Sequence, residues 1–171
     1  MPQQQNKWCY CEESTKAHFL AHAFSNQIQQ ISELLKEEGA KHTPFNNELA
    51  FNLDEIESEL ASREKRNKRN TMDMACCVIK SKKKQALLTE IKLKVKNERN
   101  IGAEELKQKI AGSKTILSKD INIQIHQTHL FIFNEKVKQR AQYRIRSLFA
   151  DNPNYKVLSV GEFYQSYFMN Q

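Results

Sequence analysis

The run TEIKLKVK, residues 89–96, sets Thr89, Ile91, Leu93 and Val95 against Glu90, Lys92, Lys94 and Lys96 without a fault. A period of two belongs to a β-strand, and such alternation predicts one buried face and one solvated face. Just upstream, MACCVI at 74–79 is short, apolar and bounded by basic residues, which suits a second strand with both faces partly covered. The KSKKK block at 80–84 turns the chain between them, so a hairpin is expected although no Asn-Gly marks its turn.

Around this hairpin the period changes to that of helices. Ser14 can cap a helix in which Leu20, Phe24, Ile28, Ile31 and Leu35 recur at three and four residues until Gly39. Asn52-Leu-Asp-Glu55 reads as a capping box for a second helix, with Leu53, Ile56 and Leu60 inward. A third is expected over 103–117 with its Gly112 as a weak point, then a strand at 129–133 and a basic helix at 135–149. A strand at 155–160 and an aromatic tail helix, EFYQSYF, close the chain. The alternation predicts an α/β fold with a mixed central sheet of about four strands flanked by helices. With few Gly and Pro, no linker is evident. A polar tail (1–13) precedes one domain (14–171), helical over 14–65 and with its sheet core over 72–160.

The net charge of +7 is unevenly placed: residues 1–62 carry 4 basic and 10 acidic groups, whereas 63–99 carry 13 and 4. Arg63, Lys65, Arg66, Lys68 and Arg69, then Lys82, Lys83 and Lys84, and finally Lys94 and Lys96, form a field that a nucleic acid would meet at long range. Solvation alone also explains basic loops. The start MPQQQNKWCYC lacks the layout of a signal peptide and no long apolar run exists, so a soluble, cytoplasmic protein without a membrane partner is expected. Cys9, Cys11, Cys76 and Cys77 are spaced neither as a disulfide framework nor as a four-cysteine zinc site, and reduced thiols follow. Four scattered glycines cannot build a phosphate-cradling loop, which argues against nucleotide-dependent enzymes.

Asp73 stands at the mouth of the first hairpin strand, and Glu90 and Lys92 share a face of the second, so pairing of the strands could bring all three together. Two carboxylates so close need a cation between them, and oxygen ligands favour Mg2+. Asp73, sixteen intervening residues, then Glu90-Ile91-Lys92 resembles the PD-(D/E)XK superfamily of restriction-endonuclease-like nucleases, as does the order of elements over residues 14–160. Met72 stands where that pattern often has Pro. A second Glu-x-Lys, Glu105-Leu-Lys107, falls on an expected helix, where i and i+2 diverge.

The resemblance implies that Asp73, Glu90 and the Ile91 carbonyl ligate Mg2+ or Mn2+ and that Lys92 acts on the nucleophile or transition state. Phosphodiester hydrolysis in DNA, rather than RNA, follows. Glu13, Glu33 and Glu37 are open candidates for a further ligand from the first helix. Weighed against this, Glu90 and Lys92 can be an exposed pair, and Asp73 a turn cap. His18 and His22 have metal-pair spacing without a third ligand, and His126 and His129 read as structural. Trp8, Tyr10, Phe163, Tyr164, Tyr167 and Phe168 can stack on bases or dock on a core. A catalytically inactive nucleic-acid-binding module, or a protein-interaction domain that pairs its acidic and basic regions within the chain or across a homodimer, are the alternatives.

Overall fold

The computed structural model describes residues 6–169 of the chain. Residues 1–5 of the expected tail lie outside the described residues. The helices are α1 (Glu12–Ala17), α2 (Phe19–Ala23), α3 (Ile31–Glu37), α4 (Leu53–Glu64), α5 (Ala103–Leu117), α6 (Glu135–Leu148) and α7 (Val160–Tyr167). The strands are β1 (Cys9–Tyr10), β2 (Ile28–Gln30), β3 (Leu49–Asn52), β4 (Met74–Lys80), β5 (Lys83–Lys92), β6 (Gln124–Phe133) and β7 (Tyr155–Leu158). Among the described residues no helix is long and apolar enough to cross a membrane.

The fold is α/β with a mixed open sheet, but among the described residues the sheet has seven strands where about four are expected from the sequence. Its order is β2-β3-β4-β5-β6-β7, and β1 pairs with the far end of β4. Of the additional strands, β1 lies in the expected tail (1–13), which therefore joins the sheet, and β2 and β3 lie in the part (14–65) whose spacing predicts helix. Leu20 and Phe24 belong to the core on one face of the sheet, whereas Ile31, Leu34 and Leu35 belong to the core on the other. One straight helix cannot serve both faces. The chain instead breaks at His18, whose ring caps α2, and crosses the sheet as β2, where Ile28 pairs with Phe51. Ser14 is not the cap of the first helix; Cys11 holds that position.

The hairpin forms as expected, with a two-residue turn of Ser81 and Lys82, both at positive φ (46° and 69°). This is the mirror-image turn geometry that matches strand twist, reached here without Asn or Gly. From β5 onward the chain runs strand, helix, strand, helix, strand, and β5, β6 and β7 are parallel. Helices therefore cover both faces of the sheet, as parallel sheets require. The expected solvated face of β5 is buried in consequence: Glu90 is 0% exposed, beneath α5. Regular strand ends at Lys92, so Lys94 and Lys96 lie beyond it.

Helix α5 fits the sequence expectation at both ends, and Gly112 turns out to be required within it. A Cβ there would stand 2.1 Å from the Asn70 carbonyl oxygen. Next to it, the Ser113 hydroxyl accepts from the Met72 N–H at 2.8 Å. Helix α5 thereby clamps the segment that leads into Asp73. Gly112→Ala is expected to cost about 2 kcal/mol by overpacking, a fall in Tm of about 4–8 °C for a domain of this size. Thermal unfolding checks it, with Ala111→Gly, on an exposed position of the same helix, as the measure of helix propensity; a gain in stability for Gly112→Ala, the mirror of the loss in Ala111→Gly, would mean that propensity alone governs the position.

Candidate active site

Asp73 lies one residue before the β4–β5 ladder begins at the Met74–Thr89 pair. Its Oδ2 accepts from the N–H of Ile91 at 2.6 Å, so the side chain takes the place of a main-chain partner at the open end of the hairpin. The aspartate thus reaches the residue between Glu90 and Lys92. In an extended strand the N–H and C=O of one residue leave on the same side, so the Ile91 carbonyl also faces the Asp73 side.

Glu90 points to the opposite side of the strand backbone from Ile91, under α5. Its Oε1 accepts from Lys109 Nζ at 2.5 Å and lies 3.1 Å from Lys92 Nζ. Its Oε2 is buried and has no hydrogen-bond partner among the described residues. Glu105 flanks both lysines, 3.5 Å from Lys92 and 4.0 Å from Lys109. Lys109 is absent from the residues singled out in the sequence, yet it carries a signal there: Leu106, Lys109, Ile110 and Ser113 make one inward stripe at helical spacing, and a lysine inside such a stripe needs an anion to meet.

Burial pushes the Asp73 carboxyl up to about 7, and the charge of Glu90 adds to this against the Ile91 N–H and Lys109. Burial pulls Lys92 down, but the charge and hydrogen bond of Glu90, with Glu105 and Asp73, more than reverse it and hold the ammonium above its usual range. Lys92 is therefore a fixed positive charge near neutral pH.

Outside Asp73 is a small cleft of about 140 Å³, lined by Glu37, Glu38, Asp54, Glu55, Asp73 and Ile91 among others. Of the three open candidates for a further carboxylate, Glu37 is in this lining; Glu33 and Glu13 are not. Glu38, Asp54 and Glu55 are additions from the structure. The last two are placed by Asn52, whose Oδ1 accepts from the Glu55 N–H at 3.1 Å and caps α4; of the expected capping box this half is present, and the return bond from Glu55 does not form among the described residues.

The divalent cation implied by the resemblance can be tested against these donors. No group of three or more His, Cys, Asp or Glu able to hold a metal occurs among the described residues. Mg2+ at phosphate sites, however, takes only one or two protein carboxylates and fills the rest with water and phosphate oxygens. A buried carboxylate oxygen without a partner, a second carboxylate close enough to feel its charge, and a carbonyl on the same side fit that minimal set.

The other expected residues divide sharply. Arg66 forks onto the buried Glu57 at 2.5 and 3.2 Å and also meets Glu64, Arg63 pairs with Glu59 over the Phe24 ring, and Lys68 meets Asp54 at 2.7 Å. Burial pushes Glu57 up, but the Arg66 fork and the Arg69 N–H together hold it below its usual range. Arg63, Arg66 and Lys68 thus answer acidic groups of α4 and the residues around it; Lys65 and Arg69 have exposed side chains. Lys82, Lys83 and Lys84 sit at the hairpin tip, six or more residues along β5 from Glu90, about 20 Å at strand rise.

Lys94 donates to the Glu37 carbonyl at 2.8 Å and, with Lys96, Lys136 and Arg140, borders a groove of about 510 Å³ floored by Leu93, Val95 and Val137. Lys136 and Arg140 escape a reading by local charge density because they lie forty residues further along the chain.

His18 is buried and caps α2 while His22 is not, so they form no metal pair. His126 and His129 are buried, the latter pushed down to about 4 by burial and the charges of Lys114 and His126. Phe163, Tyr167 and Phe168 dock on the core with Tyr10 and Phe45. No protein-family model matches the chain, and neither a curated protein nor a solved structure does.

Asp73 keeps its proton to about pH 7 in the folded chain, whereas an unfolded Asp loses it near pH 4. Its contribution to stability is full below the lower value and is lost as pH rises through the higher one. Asp73→Asn, which retains an acceptor for Ile91, is therefore expected to raise Tm at pH 8 by about 4–8 °C, on the order of 2 kcal/mol, and to change it little at pH 4. Equal shifts at both pH values would contradict the buried-charge account.

Proposed function

We propose that the chain is a divalent-metal-dependent nuclease of restriction-endonuclease-like fold that hydrolyses phosphodiester bonds in DNA. The observation that carries the reading is the meeting of Asp73 with the Glu90-Ile91-Lys92 strand through the 2.6 Å hydrogen bond to Ile91, beside a buried Glu90 oxygen without a partner. The order that follows, a crossover helix α5, a parallel β6, then α6 and β7, agrees with the element order that the sequence resemblance rests on.

Asp73, Glu90 and the Ile91 carbonyl would hold the ion, which would supply Lewis-acid polarisation of the phosphodiester and a lower pKa for bound water. The protein's own groups do the rest. Lys92, already an ammonium, cannot take a proton and instead stabilises the negative charge that develops on the phosphate. Asp73 fixes the strand end through Ile91 and lines the cleft. Lys94, Lys96, Lys136 and Arg140, at the carboxyl ends of the parallel strands where ligands of open α/β sheets bind, hold the backbone phosphates.

One observation favours a second reading, a nucleic-acid-binding module without catalysis: Lys109 pairs with Glu90 at 2.5 Å. Incubation with Mg2+ or Mn2+ and single- and double-stranded DNA and RNA separates the two. Nicking or cleavage of DNA that falls by about 10²–10³ in Lys92→Ala, and as steeply in Glu90→Gln, is expected. Cleavage unaffected by either change would sink the nuclease assignment, and metal-independent binding without cleavage would leave the module. For the groove, Lys136→Ala with Arg140→Ala is expected to flatten the salt dependence of duplex binding by about 0.9 in log–log slope for each phosphate that is no longer neutralised. An unchanged slope would move the substrate path elsewhere.

A further inference from the structure

Lys109 presents a problem that the nuclease reading does not answer. It is carried inward by α5, between Leu106 and Ile110, and both it and Lys92 are directed at the same oxygen of Glu90, at 2.5 and 3.1 Å. The other oxygen of that carboxylate is left buried without a partner. Glu105 stands beside both lysines, so two ammonium groups meet two carboxylates; a divalent cation joining the lysines on Glu90 would be repelled by both.

The geometry also offers an exit. Glu105 lies one helical turn before Lys109, 4.0 Å from its Nζ, and its side chain is 50% exposed. An ammonium on a flexible four-carbon stem can exchange the inner carboxylate for the outer one by rotamer change alone, without moving α5. At the outer position it faces solvent beside Lys92, where a phosphate oxygen would arrive.

Resting on the nuclease reading above, we propose that Lys109 is a positioning residue that competes with the cation: its ammonium holds Glu90 and would withdraw to Glu105 and the incoming phosphate when a divalent ion takes Glu90. Cation loading is then coupled to phosphodiester binding. By linkage the coupling is reciprocal, so that the phosphodiester tightens the ion by the factor by which the ion tightens the phosphodiester. Lys109 keeps Glu90 compensated, and the ion would be admitted chiefly with substrate present.

The test is Mn2+ binding to the full chain, followed by the electron paramagnetic resonance of free Mn2+, with and without a short phosphorothioate DNA duplex. In the wild type the duplex is expected to tighten Mn2+ roughly tenfold, within the usual range of such couplings. Lys109→Gln should bind Mn2+ alone about as tightly as the wild type does with duplex, and should show almost no coupling; Lys109→Arg should restore it. Thermal unfolding in EDTA reports whether each variant is folded. Should Lys109→Gln not fold, Glu105→Gln, a change at a half-exposed position, removes the outer resting place and is expected to reduce the coupling factor at least threefold. Wild-type binding and cleavage with an unaltered affinity and coupling in Lys109→Gln, or in Glu105→Gln where that variant stands in, overturn the role of Lys109 and leave the nuclease reading intact. Uptake by Lys109→Gln when the wild type takes up none supports it. No uptake by either protein overturns both.

Discussion

A carboxylate cannot be buried unanswered, and Glu90 is completely buried. The effective penalty for desolvating one ion inside a protein is several kcal/mol even after relaxation, which is comparable with the whole stability margin of a domain. The molecule answers it from two directions, with Lys92 two residues along the same strand and Lys109 from the helix above. Helix α5 has to lie close over β5 for Lys109 to reach, and the same closeness brings its Gly112 against the Asn70 backbone and its Ser113 to the Met72 N–H. Those contacts set the path of the chain into Asp73. One charge balance thus fixes the height of a helix, and the helix fixes where the second carboxylate stands.

Much of this is legible from residues alone. The hairpin, α5, α6 and the order of the later elements follow from clean periods of two and 3.6, because each of these segments faces a single core. The N-terminal third misleads for the opposite reason. Leu20 to Leu35 keep a helical spacing, yet the first members serve one face of the sheet and the last serve the other, and a pattern of hydrophobic residues does not record which core each residue enters. At the site, the approach of Asp73 to Glu90 and Lys92 is expected from the hairpin, and the hydrogen bond to Ile91 is consistent with it. Burial of the polar face of β5 is not, since alternation is equally the mark of a solvated strand and of one whose charges are met by a neighbouring helix. Lys109 is within reach of the sequence, as the one cation inside the apolar stripe of 106–113.

Charge counts transfer least well from sequence to structure. Arg63, Arg66 and Lys68 answer Glu59, Glu57 and Glu64, and Asp54, so much of the block at 63–69 balances the acidic excess of the first third of the chain. The hairpin-tip lysines point away from the Asp73–Glu90 end. Positive charge near that end instead comes from residues dispersed in sequence, Lys94 and Lys96 after β5 and Lys136 and Arg140 on α6, gathered where the parallel strands finish. A local density of lysines in a sequence measures neighbours along the chain; a surface potential depends on neighbours in space.

The clamp between α5 and the segment before β4 has a kinetic consequence. Every group in the cluster, from Asp73 through Glu90, Lys92, Glu105 and Lys109 to Ser113, falls within one uninterrupted stretch of chain, closed by a tight hairpin and one short crossover. Contacts of low sequence separation form fast, since little loop entropy is lost in closing them. During synthesis this stretch leaves the ribosome before β6, β7 and the aromatic tail helix exist. The cluster can therefore collect its parts early and serve as a template on which β6 and β7 are later laid.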